Sequence, residues 1–260
     1  MQCSKAQRTS GFTIVEMLVV APMIIIIIGV LIAAMVALTS SVVVSNTEGS
    51  ATYDIQSALD QIEQDVRLAT SVGTLADDDM TLVPMTSPLL ILGQYATDRN
   101  PTDPARELIY TSTSSNPCNT TSTLNGKLWK SNPPVKISII YHIVNGTLWR
   151  RTIVPVGATF SSSSPAANNV CGQMWQQSTC LVKNQLLWPC SAANTDTRVL
   201  TNVASDGFVI RYFNSIASTS GSSNPSANTS AVKVTLKTAA TAAGQDVTAT
   251  GSMKAKITNY

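Results

Sequence analysis

The chain has 260 residues, of which 44% are hydrophobic and only 12% are charged, with a formal net charge of +2. This composition argues against a cytosolic enzyme, and the charge balance excludes the basic excess typical of nucleic-acid-binding domains. It favours a membrane segment joined to a polar extracytoplasmic domain of roughly 190 residues, which is long enough to bury a core.

The N-terminal region predicts a membrane helix preceded by a short basic segment. Lys5 and Arg8 lie in the first eleven residues, which end at Gly11. From Met17 to Leu38 there are 22 uncharged, mostly apolar residues, which span about 33 Å as a helix and so match a bilayer core. Because basic residues stay on the cytoplasmic side, we expect the N-terminus inside and the C-terminal domain outside.

Glu16 is the unusual residue of this region, because it stands at the edge of the apolar run. A carboxylate within a membrane helix costs roughly 2.5–3.5 kcal/mol on insertion scales, so it needs a partner. The apolar run offers none. The nearest cation would be the amine freed by a cut before Phe12, on the same chain or on a neighbouring subunit.

The segment Gly-Phe-Thr-Ile-Val-Glu, from Gly11 to Glu16, with its basic leader and apolar helix, resembles the class III signal of type IV pilins and pseudopilins. The resemblance extends to about Ile32. It implies that a prepilin peptidase cuts after Gly11 and methylates Phe12. It also implies that Glu16 pairs with an N-terminal amine during filament assembly.

The resemblance implies a non-enzymatic subunit of a pilus-like filament, with no cofactor. Its partners would be prepilin peptidase, other pilin subunits and the membrane. Removing Lys5 and Arg8 with the leader leaves 15 basic and 15 acidic residues, so we expect no direct nucleic-acid binding. The length of the chain favours a minor pilin or a pseudopilin, in adhesion, motility, DNA uptake or secretion. The alternative is a cell-surface or secreted protein with a conventional signal cleaved near residues 40–45.

Two residues interrupt the apolar helix, Pro22 and Gly29. Proline removes one helical hydrogen bond and clashes with the preceding turn, which predicts a kink. An alternative interpretation is a segment that loosens when the subunit leaves the membrane for a filament.

A second, amphipathic pattern follows the apolar run. Apolar residues at 55, 59, 62, 66 and 69 recur every three or four positions, which predicts one buried stripe on a continuing helix of about sixty residues. Polar residues, including Asp54, Asp60 and Asp65, are assigned to its surface. The predicted order is a leader over 1–11, a transmembrane or filament-core helix over 12–44, an amphipathic helix over 45–72, and a β-rich domain over 73–260.

Short strands predict an antiparallel sheet packed on this helix, so the fold class is α+β. Candidate strands cover 89–94, 107–113, 199–213, 232–237 and 246–258. The clearest element is a hairpin over Ile137 to Ile153, because Asn145-Gly146 favours a two-residue turn. Its register places His142 opposite Trp149 and Tyr141 opposite Arg150. We interpret His142 as a packing residue, and Trp149 with Arg151 as a possible subunit contact.

The late cysteines predict two disulfides in an oxidising compartment. They are Cys118, Cys171, Cys180 and Cys190, and three pairings are possible. Their separations do not suit structural zinc. Three of them fall in a long loop over about 160–202, with Trp175 and Trp188. Residues 77–79 are three adjacent aspartates, which favour a solvated loop over a calcium site because calcium ligands usually alternate. No metal site is predicted.

Overall fold

The computed structural model describes residues 13–73, 88–111, 121–124, 127–130, 134–154, 170–171, 174–179 and 196–258. The chain divides into two compact units. One comprises the residues up to Glu48 together with Thr241–Val247, and the other comprises the remainder. One long helix and several antiparallel strands make the fold α+β, as predicted.

The single helix among the described residues, α1, runs from Ile14 to Leu68 without interruption. It begins where Thr13 caps its first turn, and it passes through Pro22. The prediction that the apolar and amphipathic segments form one helix is therefore confirmed. The helix ends at Leu68, before the predicted end at residue 72. The amide of Thr70 then donates to the carbonyl of Gly93, and a short strand follows.

The strands follow in the order β1 (Ser71–Val72), β2 (Leu90–Tyr95), β3 (Tyr110–Thr111), β4 (Thr121–Leu124), β5 (Lys127–Lys130), β6 (Lys136–Val144), β7 (Thr147–Ile153), β8 (Val170–Cys171), β9 (Thr197–Leu200), β10 (Val203–Phe213), β11 (Ala231–Ala242) and β12 (Gln245–Lys256). They pair into a five-stranded sheet ordered β1-β2-β6-β7-β9, a three-stranded sheet ordered β10-β11-β12, and the small pairs β3-β8 and β4-β5.

The predicted hairpin is confirmed in β6 and β7. Asn145 and Gly146 form its turn with φ of 49° and 68°, the conformation that this dipeptide favours. The register pairs His142 with Trp149 and Tyr141 with Arg150. A similar tight turn, at Ala243 and Gly244 with φ of 50° and 78°, joins β11 to β12.

Two strand predictions need correction. The segment 199–213 is two strands of different sheets, because Asn202 adopts a φ of 56° between them and ends β9 before β10 begins. The predicted strand at 107–113 is β3, which covers Tyr110–Thr111 and pairs with β8. Residues 112–113 lie outside the described residues.

The main core forms where the helix residues from Ile55 onward pack on both larger sheets. Ile62 and Val66 are fully buried, and so are Leu92 of β2 and Val234 of β11. Gly251 of β12 allows a close approach of the sheet to the helix, since a Cβ there would lie 2.6 Å from a methyl carbon of Ile55. The predicted apolar stripe is thus the core-facing side of the helix. A second, smaller apolar cluster surrounds Ile137 of the five-stranded sheet.

Candidate functional site

The apolar part of α1 is the most unusual surface of the described chain. Its side chains are exposed from Ile14 onward, with 86% exposure at Ile14 and 70% at Ile25. Its most apolar 18-residue stretch has a mean hydropathy of 3.0 and no buried residue. Soluble proteins rarely expose so continuous an apolar surface. By length and composition, this is the one helix of the described residues that could cross a membrane.

The polar side chains within this segment bond to the backbone of the helix itself. The hydroxyl groups of Thr39 and Thr47 donate to the carbonyls of Met35 and Val43 at 2.8 Å, four residues earlier. The hydroxyl of Ser40 donates to the carbonyl of Ala37 at 2.9 Å. Such internal bonds allow hydroxyl groups to enter an apolar medium. The helix carries no charged residue from position 17 to position 47. This uncharged stretch is well beyond the minimum length that crosses a bilayer core.

Glu16 has a partner that the sequence interpretation missed. Its carboxylate accepts hydrogen bonds from the backbone amide and the hydroxyl of Thr13, each at 3.3 Å. The amide of Glu16 donates in turn to the hydroxyl of Thr13 at 3.3 Å. This reciprocal pair is a capping box, for which the Thr-x-x-Glu spacing is the sequence signal. Thr13 precedes the apolar run, and it gives Glu16 uncharged hydrogen-bond partners in addition to the cationic partner expected from the sequence.

The capping box does not neutralise the charge of Glu16, because both donor groups of Thr13 are uncharged. The N-terminal end of a helix favours a carboxylate by a few tenths of a kcal/mol to about 1 kcal/mol at an exposed position. That is less than the roughly 2.5–3.5 kcal/mol cost of placing a carboxylate at the centre of a membrane helix. An additional positive partner would therefore still stabilise this residue in an apolar environment.

The helix remains continuous at both predicted interruptions. Pro22 lacks an amide hydrogen, so the carbonyl of Leu18 loses its usual helical donor. At Gly29 a Cβ would meet no atom within 4 Å, and the absence of a side chain leaves a gap in the exposed apolar surface. The predictions about Lys5, Arg8, Gly11 and Phe12 lie outside the described residues.

The disulfide predictions also fall largely outside the described part of the chain. Cys118, Cys180 and Cys190 are not described, and only the backbone of Cys171 is, in β8. Trp188 and the aspartates at 77–79 are likewise not described. Trp175 is described and is 52% exposed, so its indole is only partly packed.

A buried ion pair joins α1 to the five-stranded sheet. Asp65 is only 7% exposed. It accepts hydrogen bonds from Arg150 Nε at 2.6 Å and from the Tyr141 hydroxyl at 2.6 Å. Gln94 Nε2 donates to the backbone carbonyl of Asp65 at 2.8 Å. The assignment of Asp65 to the solvent surface was therefore wrong.

The same contacts shift the ionisation of the neighbouring groups. Burial, and then the charge of Asp65, raise the pKa of the Tyr141 phenol well above its usual value. Burial alone would lower the pKa of Arg150, but its hydrogen bonds to Asp65 and the charge of that carboxylate outweigh burial and raise it. Arg150 therefore stays charged and Tyr141 neutral near neutral pH. We call Asp65, Arg150 and Tyr141 the clamp between helix and sheet.

A second buried ion pair lies on the opposite face of the sheet. Arg151 is 1% exposed and donates through Nε and Nη2 to Asp196, at 3.0 and 2.6 Å. Thr179 also donates to Asp196, at 3.2 Å. His142 Nε2 lies 4.0 Å from the same carboxylate. This burial corrects the interpretation of Arg151 as a contact residue for a neighbouring subunit.

The environment of His142 leads to a testable pH dependence. Burial, and then the positive charge of Arg151, lower the pKa of His142 to about 4, against the opposite influence of Asp196. Since the unfolded chain binds this proton near pH 6.5, stability should fall as pH decreases through the window from 6.5 to 4. We expect this residue to reduce the free energy of unfolding by about 2 kcal/mol between pH 7 and pH 5.

His142 is the only histidine of the chain, so the nuclear magnetic resonance signal of its Hε1 ring proton can be assigned without ambiguity and followed through a pH titration. We expect the midpoint of that signal to lie near pH 4 in the folded protein. A midpoint near 6.5 would show that the imidazole is solvated and would refute the pH dependence.

A cleft of about 260 Å³ lies at the end of α1. It is lined by Leu68, Gln94, Tyr95, Thr97, Pro101, Pro104, Arg106 and Leu108. Two of these residues carry a hydroxyl, Tyr95 and Thr97, and the Thr97 hydroxyl donates to the carbonyl of Arg99 at 2.7 Å. Among the described lining residues there is no histidine, cysteine or carboxylate. In the described part of the chain, no group of three His, Cys, Asp or Glu residues could hold a metal ion.

Comparison with known proteins adds no further assignment. No family model matches this chain, and a search of curated proteins finds no significant match.

Proposed function

We propose that this chain is a non-enzymatic subunit of a type IV pilus-like filament, a minor pilin or a pseudopilin. The observation that supports the proposal best is the exposed apolar helix of α1, with a carboxylate in its first turn at Glu16. In the sequence this turn directly follows Gly11-Phe12, the site at which the class III signal resembled by this segment is cut.

The apolar segment of α1 would have two successive roles. It first anchors the chain as a single-pass protein of the bacterial cytoplasmic membrane, with the C-terminal domain outside. It then becomes part of the filament core, where helices of other subunits replace the lipid around residues such as Ile25 and Leu31. Apolar surface that leaves lipid for other apolar side chains gains little from the hydrophobic effect, so packing and polar contacts decide the association.

Glu16 would provide the polar contact that sets the position of each subunit. After cleavage the amine of Phe12 is positively charged at neutral pH. A carboxylate in an apolar bundle that lacks a charged partner is strongly unfavourable, whereas a paired one is tolerated. A neighbouring subunit would therefore lower its free energy by placing its amine at Glu16. The partners implied are prepilin peptidase, the membrane and other filament subunits.

The described site supports a binding or assembly role better than a catalytic one. The two buried carboxylates of the described residues, Asp65 and Asp196, are held by arginines. The described cleft contains no acid–base pair.

The proposal is tested by shearing surface filaments from cells that make the tagged chain. We expect the chain in the sheared fraction, shortened by its first eleven residues. A Gly11→Glu variant should stay full-length and remain in the membrane, because the peptidase needs a small residue at the cut. Efficient recovery of full-length Gly11→Glu protein in sheared filaments would contradict the proposal.

A further inference from the structure

The outer face of the sheet β10-β11-β12 is strongly basic. Because side chains alternate along a strand, the residues between the buried Val232, Val234 and Leu236 point away from the core. The basic residues of this outer face are Arg211, Lys233, Lys237, Lys254 and Lys256. Lys254 already has partners, because its Nζ donates to the carbonyl of Ser218 at 2.6 Å and lies 3.8 Å from the centre of the Phe213 ring. The acidic residues of this face are Asp206, which lies 3.4 Å from Lys237, and Asp246, which is exposed near the start of β12. We call these five basic residues the basic sheet face.

Two of these cations face each other without an intervening acid. Arg211 and Lys233 are directly opposite in the register of β10 and β11, and both side chains are exposed. Like charges in this position destabilise a sheet. Within the part of the chain that the structure describes, neither forms an ion pair. An anionic partner on this face would therefore remove a repulsion that the isolated subunit retains.

The opposite side of the same unit has the complementary surface. The helix packs on the inner face of the sheet through Ile55 and its stripe, so its other side faces solvent. Tyr53 is 74% exposed there. Asp60, seven residues further on, is exposed on the same side of the helix, and Asp54 is exposed on the adjoining flank, about 100° around the helix axis from Tyr53. We call Tyr53, Asp54 and Asp60 the acidic helix face.

The arginine of this helix segment does not reverse the charge of the acidic helix face. Arg67 donates through Nε to Glu63 at 2.9 Å, so the two charges offset each other. Asp60 and Asp54 therefore remain as a local surplus of negative charge. The exposed Tyr53 ring adds an aromatic surface that attracts lysine and arginine by cation–π contact.

We propose that the acidic helix face of one subunit docks on the basic sheet face of a second copy of this chain. The inference rests on the proposed filament function for its setting. The two surfaces lie on opposite sides of one unit, so they cannot meet within a molecule. A contact between different surfaces is heterologous and, if it does not close into a ring, builds an open filament.

Charge balance favours a second copy over a nucleic acid or an anionic lipid. From Phe12 onward the chain has 15 basic and 15 acidic residues, so the surplus on one face is offset elsewhere on the same chain. Polyanion binding usually accompanies an overall basic domain. A second copy supplies exposed carboxylates and an aromatic ring, which are groups that attract lysine and arginine.

The test places a photo-crosslinking amino acid at position 53 of the full-length chain, in cells that assemble filaments. Crosslinking is measured in membranes and in sheared filaments. We expect a covalent dimer whose crosslink maps to β10 or β11. A variant with Arg211→Glu and Lys233→Glu should reduce the dimer roughly tenfold. Asp54→Lys with Asp60→Lys should do the same.

Combining the two double substitutions should restore the dimer, because the charges are then exchanged across the contact. Lys136→Glu is the matched control, since Lys136 is exposed on a different sheet, and it should leave the dimer unchanged. Thermal unfolding of each variant verifies that the fold persists.

Three outcomes would overturn the docking proposal: no dimer in the unsubstituted chain, no recovery in the combined variant, or crosslinks that map to nucleic acid, lipid or another protein. If the dimer fails while sheared filaments still contain the shortened chain, docking is wrong and the filament function stands. If the dimer forms in membranes but the chain never enters filaments, docking stands and the filament function is wrong.

Discussion

Replacing Glu16 by glutamine should leave the chain cleaved and folded but reduce its incorporation into filaments on the order of a hundredfold. Glutamine keeps the capping box, because its amide oxygen can still accept from Thr13. It removes only the negative charge, so the neighbouring amine would be buried without a counter-charge. The measurement is the amount of shortened chain in sheared filaments relative to the amount in membranes.

Thr13→Val provides the matched control for this prediction. It removes the hydroxyl that donates to Glu16 and accepts from its amide, which costs about 0.5–2 kcal/mol of helix stability, but it keeps the charge. We expect near-normal incorporation. Equal loss in Thr13→Val and Glu16→Gln would assign Glu16 a capping role alone and contradict its role in subunit pairing.

The second large effect is expected at the clamp between helix and sheet. Asp65→Asn should lower the free energy of unfolding by about 3 kcal/mol, the lower end of the range for a broken buried pair, because Arg150, whose side chain is 22% exposed, keeps its charge and loses its carboxylate. The effect is measured by urea unfolding of the full-length protein in detergent, followed by tryptophan fluorescence. Asp60→Asn, on the exposed side of the same helix, should change stability by less than about 0.5 kcal/mol.

A compensated variant distinguishes the loss of a charge partner from a loss of packing. Asp65→Leu with Arg150→Met and Tyr141→Phe removes all the polar groups of the clamp together. It should recover most of the stability, because apolar replacements of buried ion pairs are often neutral or stabilising. A triple variant as unstable as Asp65→Asn would show that the clamp is not governed by an unpaired charge.

Local patterns were sufficient to predict the elements whose signals lie within a few residues. The Asn145-Gly146 turn sets the register of its hairpin, since positive φ at both positions permits a two-residue loop. The three-four spacing from Ile55 to Ala69 identifies the buried side of the helix. In both cases neighbouring residues determine the structure, and the structure confirms the prediction.

Contacts between distant residues were harder to predict. Asp65 was assigned to the surface because it is charged and lies at the edge of the apolar stripe, and its partner Arg150 lies 85 positions along the chain. A signal did exist. The predicted register placed Arg150 beside Tyr141 on the core side of the sheet, and a cation on that side requires a carboxylate from the element packed on it.

The division of the strand at Asn202 and the capping box show two further limits of predicting the structure from the sequence. Which sheet a strand joins depends on tertiary pairing, so the segment from Val199 to Phe213 was interpreted as one strand. The capping box pairs Glu16 with uncharged groups, so a prediction based on charges alone does not identify it. Thr13, three residues earlier, is the polar neighbour that completes the box.

The most direct test of the account is the intact mass and N-terminal sequence of the protein purified from its native membranes or filaments. The account predicts a chain that begins at Phe12 and carries one added methyl group on its amine. A mature protein that begins near residue 40, or one that retains its first eleven residues in cells with an active prepilin peptidase, would contradict it.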